Sequence, residues 1–310
     1  MLKHVLDVIE LLQGADVTGE RVAEWLRAAG ADAVDVLPIE KGGRTELVRV
    51  TIPGSSGRER GGSAPTLGVI GRLGGLGVRP HRLGLVSDAD GAIVALAVAA
   101  ALIRMAEHGD CLRGDVLVRT HISPASPIVP HEPAAFVDVP VDRDALAREE
   151  VDPRMDAILS VDSTRANRIV KRRGFGITGT VKEGYILRPT PGVLDAYERV
   201  VGHAPVVVPL FTQDITPPGN GLHRINSILQ PATLTDAPVI GVALLSPAVV
   251  AGAATGVTDE VELAKAGRFI VEVAKEYTAG TLPLYVEDEF RRLVELYGPM
   301  KRLQGRSENR

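Results

Sequence analysis

Short apolar runs recur along the chain with helical segments between them, and this alternation limits the fold more than any other feature. Strands are expected at Ala33–Leu37, Leu47–Ile52, Thr66–Ile70, Arg82–Val86, Asp115–His121, Ala157–Val161, Gly174–Thr178, Pro205–Phe211 and Val239–Leu245. Helices are expected at Leu2–Gln13, Gly19–Ala29, Gly91–His108, Gly192–Gly202, Leu222–Leu229, Asp259–Tyr277 and Val286–Leu296, with Thr18 capping the second. Strands alternating with helices predict an α/β protein, a three-layer αβα arrangement whose mostly parallel mixed sheet is covered on both faces. No internal repeat is visible. A single α/β domain over residues 1–300 and a charged, flexible tail over 301–310 are the expected organisation. The glycine-rich stretch 53–65 reads as an exposed loop.

Composition narrows the function classes. Hydrophobic residues make up 45% of the 310 positions, enough for a sizeable core. Aromatics are only 4% and the net charge is −4, so neither base stacking nor general attraction to phosphate backbones is available, and nucleic acid is not an expected partner. The basic run Lys171-Arg172-Arg173 reads as a solvated turn. Cys111 is the only cysteine, which rules out an intramolecular disulfide and thiolate zinc sites and leaves a structural thiol. Residues 1–10 lack the apolar core of a signal peptide, and the longest apolar run, Ala92–Ile103, has 12 residues, too few to span a bilayer. A cytoplasmic protein with no membrane partner is expected.

The stretch Gly68-Val-Ile-Gly-Arg-Leu-Gly-Gly-Leu-Gly77 follows a predicted strand and invites a phosphate-loop reading. No register of it gives Gly-x-Gly-x-x-Gly turning into a helix, and no Gly-Lys-Ser/Thr occurs. A tight turn with closely packed backbone is the better reading, and nucleotide binding the weakest of the functional hypotheses.

In open α/β sheets ligands gather beyond the carboxyl ends of the strands. That rule collects Arg72, Asp88, Asp90, His121, Asp162, Thr212, Gln213, Asp214 and Ser246 from separate strands. Asp88 and Asp90 precede a helix N-terminus, where they could be caps or, with Asp162, metal-binding carboxylates. His121 could be a ligand, a general base or a satisfied buried imidazole. His131 and Glu132 lie between prolines and read as loop surface, whereas Asn220 lies in a glycine-rich turn and His223 follows it, where a helix could start. His-Glu-x-x-His and Gly-x-Ser-x-Gly are absent.

The order of elements and several of these residues resemble the co-catalytic zinc exopeptidases, especially the glutamyl and deblocking aminopeptidases. More narrowly, the chain looks like an uncharacterised bacterial and archaeal family of about 300 residues that shares their core. Segment 15–20 resembles the family's early capping segment. Asp88, before the alanine-rich helix, matches the metal-bridging aspartate, and Asp162, in Ser-Val-Asp-Ser-Thr, matches a second ligand. Residues 239–243 and the helix from Asp259 resemble the closing strand and helix. The resemblance implies a phosphorylase/hydrolase-like core without the inserted lid domain, since Gly77 and Asp88 stand close together.

The departures bear on the chemistry. Arg72-Leu73-Gly74 occupies the place of the peptidases' His-x-Asp, Thr120-His121-Ile122-Ser123-Pro124 that of their Glu-Glu pair, and the stretch 247–253 lacks their final histidine. Two zinc ions need a bridging carboxylate and about five further ligands. The retained set implies at most one divalent ion, zinc or manganese, on Asp88 and Asp162, and a guanidinium beside it favours an anionic ligand instead. The expectation is a degenerate metallopeptidase-like site for a small amino-acid- or peptide-derived carboxylate, acting as an amide hydrolase. Asp88, His121 and Asp162 would be its acid–base groups, and Arg72, Asp214, Asn220, His223 and Ser246 its substrate contacts. The alternative is a relative that binds a metabolite or partner without chemistry. A homo-oligomer is expected in either case.

Overall fold

A computed structural model describes residues 1–130, 135–164, 166–248 and 258–305. In chain order its elements are α1 (Leu2–Gln13), α2 (Gly19–Ala28), β1 (Ala33–Ile39), β2 (Thr45–Ile52), β3 (Leu67–Gly71), α3 (Asp90–Glu107), β4 (Val116–Ile122), β5 (Ile128–Val129) and β6 (Phe136–Val137). They continue with α4 (Arg143–Glu150), β7 (Ala157–Thr164), β8 (Gly174–Lys182), β9 (Tyr185–Leu187), α5 (Pro191–Val201), β10 (Val207–Val208), β11 (Val239–Leu245), α6 (Glu260–Thr278) and α7 (Glu287–Tyr297). The main sheet runs β1-β2-β4-β3-β7-β11-β8-β10, with β9 added to β8. Its centre, β4-β3-β7-β11, is parallel, while β1, β2 and β8 attach antiparallel. The α/β expectation is met.

The two faces of the sheet are covered differently, and side-chain parity shows how. In β7, Ala157, Leu159 and Val161 point into the larger core with α3 and α6, whereas Ile158 points into a smaller one. The same alternation sends Leu67 and Val69 of β3 and Ile240 and Val242 of β11 to the larger core, and Ile70, Val239 and Ala243 to the smaller. The larger face carries α1, α2, α3, α5 and α6. Here α3 is apolar all round because it lies between the sheet and α1 and α6. By length and composition it would also pass for a membrane span, but it is enclosed in the core. The opposite face is roofed by α4 and by irregular chain, including the 3-10 turns Thr212–Ile215 and Gln230–Thr233.

Four local expectations are corrected. Arg82–Val86 is not a strand: Arg82 makes only an isolated bridge to Val78, Gly84 takes a left-handed φ of 77°, and Ser87–Ala89 turn into α3. Residues 205–211 pair only at Val207–Val208, next to Pro209, which has no N–H to donate. Residues 222–229 are not helical; the backbone N–H groups of Ile225 and Asn226 donate to Asp214 instead. The charged tail begins as an ordered 3-10 turn, Lys301–Gln304, in which buried Gln304 donates to the Ala232 carbonyl at 2.5 Å. The loop 53–65 is pinned at its base, where Gly54 and Glu59 donate N–H groups to the Asp115 carboxylate at 2.8 and 3.1 Å.

Candidate functional site

On β7 the even-numbered positions face the irregular roof, so Ser160, Asp162 and Thr164 follow Ile158 to that side of the sheet. Between them and the roof lies a cavity of about 310 Å³. Its walls come from the end of β3 (Arg72), the turn before α3 (Asp88), β7 (Asp162, Thr164), α4 (Arg143, Glu150) and the segment 224–230. That segment is held in place by the Asp214 carboxylate and by Asn226, whose Nδ2 donates to Thr164 Oγ1 at 3.1 Å.

The glycine stretch and Gly91, at the start of α3, have a specific task here. A Cβ on Gly91 would lie 2.5 Å from the Arg72 carbonyl oxygen and 2.8 Å from that of Val161, so the start of α3 reaches the sheet only because the residue is glycine. The loop then wraps Asp88, whose Oδ2 accepts N–H bonds from Gly74 at 2.6 Å and Gly75 at 3.2 Å. The glycine loop therefore does cradle an anion, but the anion is the protein's own carboxylate.

Asp162 shares the cavity with Asp88. Its Oδ2 accepts from the Ser227 hydroxyl at 3.0 Å. Burial, and secondarily the negative charge of Asp88, push its pKa up to about 7, against the opposing influence of Arg72 and Ser227.

Glu150, at the last turn of α4, is fully enclosed, and Arg72 Nη1 donates to it at 2.6 Å. Burial alone would raise its pKa, but Arg72 and His121 together hold it below the usual carboxylate value. Arg72 also donates through Nη2 to Gln230 Oε1. The clamp expected of Arg72 is therefore already closed on Glu150.

His121 stands behind this pair and does not line the cavity. Its ring is fully buried, with Nε2 3.3 Å from the Gly74 carbonyl oxygen and Nδ1 3.9 Å from Glu150 Oε1. Of the remaining expected contacts, Asp214 spends its oxygens on the backbone N–H groups of Phe211, Ile225 and Asn226. Asn220 bonds Thr216, Leu222 and Arg224, His223 is exposed, and Ser246 accepts from Ala248. None of these four borders the cavity. Asp90 does not line the cavity; it is buried, accepts from Thr258 at 3.0 Å, and its pKa is pushed up to about 8 by that burial. His131, Glu132 and most of the stretch 247–253 lie outside the described residues.

Strand-end reasoning missed Glu150, Gln230, Ser227, Arg224 and the pair Arg143–Asp138. Only Asp142, which caps α4 through the Ala145 N–H at 2.8 Å, signalled the helix that carries Arg143 and Glu150.

Among the described residues the donor set does not suit the metal that the resemblance to the zinc exopeptidases implies. Among the described residues no group of three His, Cys, Asp or Glu side chains is placed to hold a metal ion. Asp88 Oδ2 already accepts from Gly74 and Gly75, Asp162 Oδ2 accepts from Ser227, and Glu150 pairs with Arg72.

The fold itself has solved counterparts. Leucine aminopeptidase LAP1 of Caenorhabditis elegans superposes with a TM-score of 0.54 at 11% identity, over 89% of this chain and 65% of that one. The bottromycin maturation enzyme BotP gives 0.48 at 17% identity, over 84% and 65%. An M17 aminopeptidase from Trypanosoma brucei gives 0.46 at 13%, over 82% and 57%. The chain thus spans less than two thirds of each of these proteins. The nematode enzyme establishes an α/β fold of the aminopeptidase type. No curated protein matches the chain. A family model described as "Protein of unknown function (DUF1177)" matches residues 38–307, most of the sequence, and the protein belongs to that family.

Proposed function

We propose that the cavity binds a small amine-bearing molecule derived from an amino acid or short peptide, and that Asp162 carries the proton in hydrolysis of its amide bond. The observation that supports this most is the pair Asp88 and Asp162 on one cavity wall, the second with a pKa of about 7. Two arginines of the wall are already matched, Arg72 by Glu150 and Arg143 by Asp138 at 2.6 and 2.9 Å. The wall around Asp88 and Asp162 is therefore acidic and suits an ammonium group. In its ionised form Asp162 accepts a proton from the attacking water and returns it to the departing amine.

The test is calorimetric binding of the dipeptides Ala-Ala and Leu-Gly beside their N-acetyl derivatives, with product followed by chromatography. Free amines should bind and N-acetylation should abolish binding; equal binding of both forms refutes the amine site. Asp162→Asn should bind the amine more weakly, through Asp88 alone, and lose turnover. Binding without chemistry is the second reading, favoured by the sparse metal-donor set. Tight binding with no product from the wild-type protein would select it.

A further inference from the structure

We infer that Arg224 reads a free carboxylate in the same cavity, so that the ligand is a zwitterion with both an unblocked amine and an unblocked carboxyl. The inference rests on the amino-acid- or peptide-derived reading above and adds the second charge. Three arginines line the cavity: 72, 143 and 224. The first two have carboxylate partners, Glu150 and Asp138. Among the described residues Arg224 has no ion pair. Its Nη2 is anchored to neutral oxygens: the Pro217 carbonyl, the Thr216 carbonyl at 3.3 Å and Asn220 Oδ1 at 3.0 Å.

That anchoring fixes the guanidinium plane while leaving donors unused. Nε is buried without a partner, and Nη1 makes no hydrogen bond within the described chain. A cation held rigidly by carbonyls, with N–H groups unspent, is preorganised for an anion. Burial pulls its pKa below the usual arginine value, with Arg143 acting in the same direction and the Asp214 charge opposing. An incoming carboxylate would offset that penalty. The acidic wall at Asp88 and Asp162 sets the size of the anion's charge: a monoanion is tolerated there, whereas a phosphate dianion is repelled. A cavity of about 310 Å³ also restricts the ligand to something near the size of an amino acid or dipeptide.

The test compares Ala-Ala and Leu-Gly, each as free acid and as C-terminal amide, on wild-type protein and Arg224→Gln by calorimetry. In the wild type the acid should bind about 10- to 100-fold more tightly than the amide, the range of a charge-assisted hydrogen bond. In Arg224→Gln that ratio should fall to about one, whatever the absolute affinities. Because Arg224 also holds the 216–220 turn, the variant is melted by circular dichroism first. If it does not fold, the acid-to-amide ratio of the wild type alone decides. Equal binding of acid and amide, with N-acetylation still abolishing both, overturns the carboxylate site and leaves the amine site standing. A ratio unchanged in Arg224→Gln, or inorganic phosphate binding more tightly than the dipeptides, also overturns it. Failure of every peptide form to bind removes both readings.

Discussion

Replacing Asp162 by Asn tests the electrostatics of the site through stability alone, without knowledge of the ligand. The carboxyl rises from 3.8 to about 7 on folding. Between those two values the folded protein holds a proton that the unfolded chain has released, so stability falls as pH rises through that window and the loss is complete above the folded pKa. At 1.36 kcal/mol per unit the full penalty is about 4 kcal/mol, of which about 2–3 kcal/mol develops between pH 5 and pH 8. Asn keeps the shape and can still accept from Ser227, but it does not ionise. The difference in unfolding free energy between Asp162→Asn and wild type should therefore shift by about 2–3 kcal/mol in favour of the variant from pH 5 to pH 8. Urea unfolding at both values measures it, with linear extrapolation and unchanged m-values as the control. A difference that does not change with pH would refute the argument, because it would mean that folding does not desolvate the carboxyl.

Three further perturbations probe the frame around it. Arg72→Met leaves Glu150 buried without its main countercharge and should destabilise by about 3–5 kcal/mol, much of it recovered in Arg72→Met/Glu150→Met; urea melts of both variants decide. Gly91→Ala places a methyl group 2.5 Å from the Arg72 carbonyl oxygen and should lose about 1–3 kcal/mol while moving Arg72. A neutral melting result there would deny the close approach. Finally, protein purified without chelator should show substoichiometric zinc and manganese by mass spectrometry, with a melting temperature insensitive to EDTA, since three suitable donors do not converge among the described residues.

Legibility from sequence followed the physics of each segment. Val239–Leu245 and Leu2–Gln13 coincide with their expected bounds because one is a continuous apolar run and the other a strongly amphipathic helix. Asp162 was identifiable because it follows directly on the expected strand Ala157–Val161, at the carboxyl end where ligands gather. Asp88 was found although the strand supposed to precede it does not exist; what the pattern registered was a carboxylate before a buried, alanine-rich helix. Glu150 and Arg143 were invisible because Arg-Asp-Ala-Leu-Ala-Arg-Glu-Glu buries only Leu146 and Glu150, so it has little periodicity to detect. Arg224 and Ser227 lie in irregular chain that one distant carboxylate, Asp214, holds in shape. Pairings of that kind, between residues remote in sequence, leave no local trace.

Asp162 and Arg224 carry opposite costs. One is a carboxyl whose ionisation is opposed by burial and by Asp88; the other is a half-buried guanidinium whose Nε is buried without a partner. A zwitterion would relieve both at once, and the relief has a proton signature. An ammonium group beside Asp162 favours its ionised form, so binding lowers the pKa and expels the proton that the carboxyl held. At pH 6.5 a group with a pKa near 7 is about three-quarters protonated, and binding should release up to about 0.7 proton per ligand. At pH 8.5 the group is already ionised, and release from it should vanish. The ligand amine, with an ordinary pKa near 8, is almost fully protonated at the lower pH and takes up little. Calorimetry of Ala-Ala in buffers of different ionisation enthalpy gives the number directly. At pH 6.5, release that persists in Asp162→Asn would assign the proton to another group, and uptake in place of release would contradict an ammonium beside Asp162.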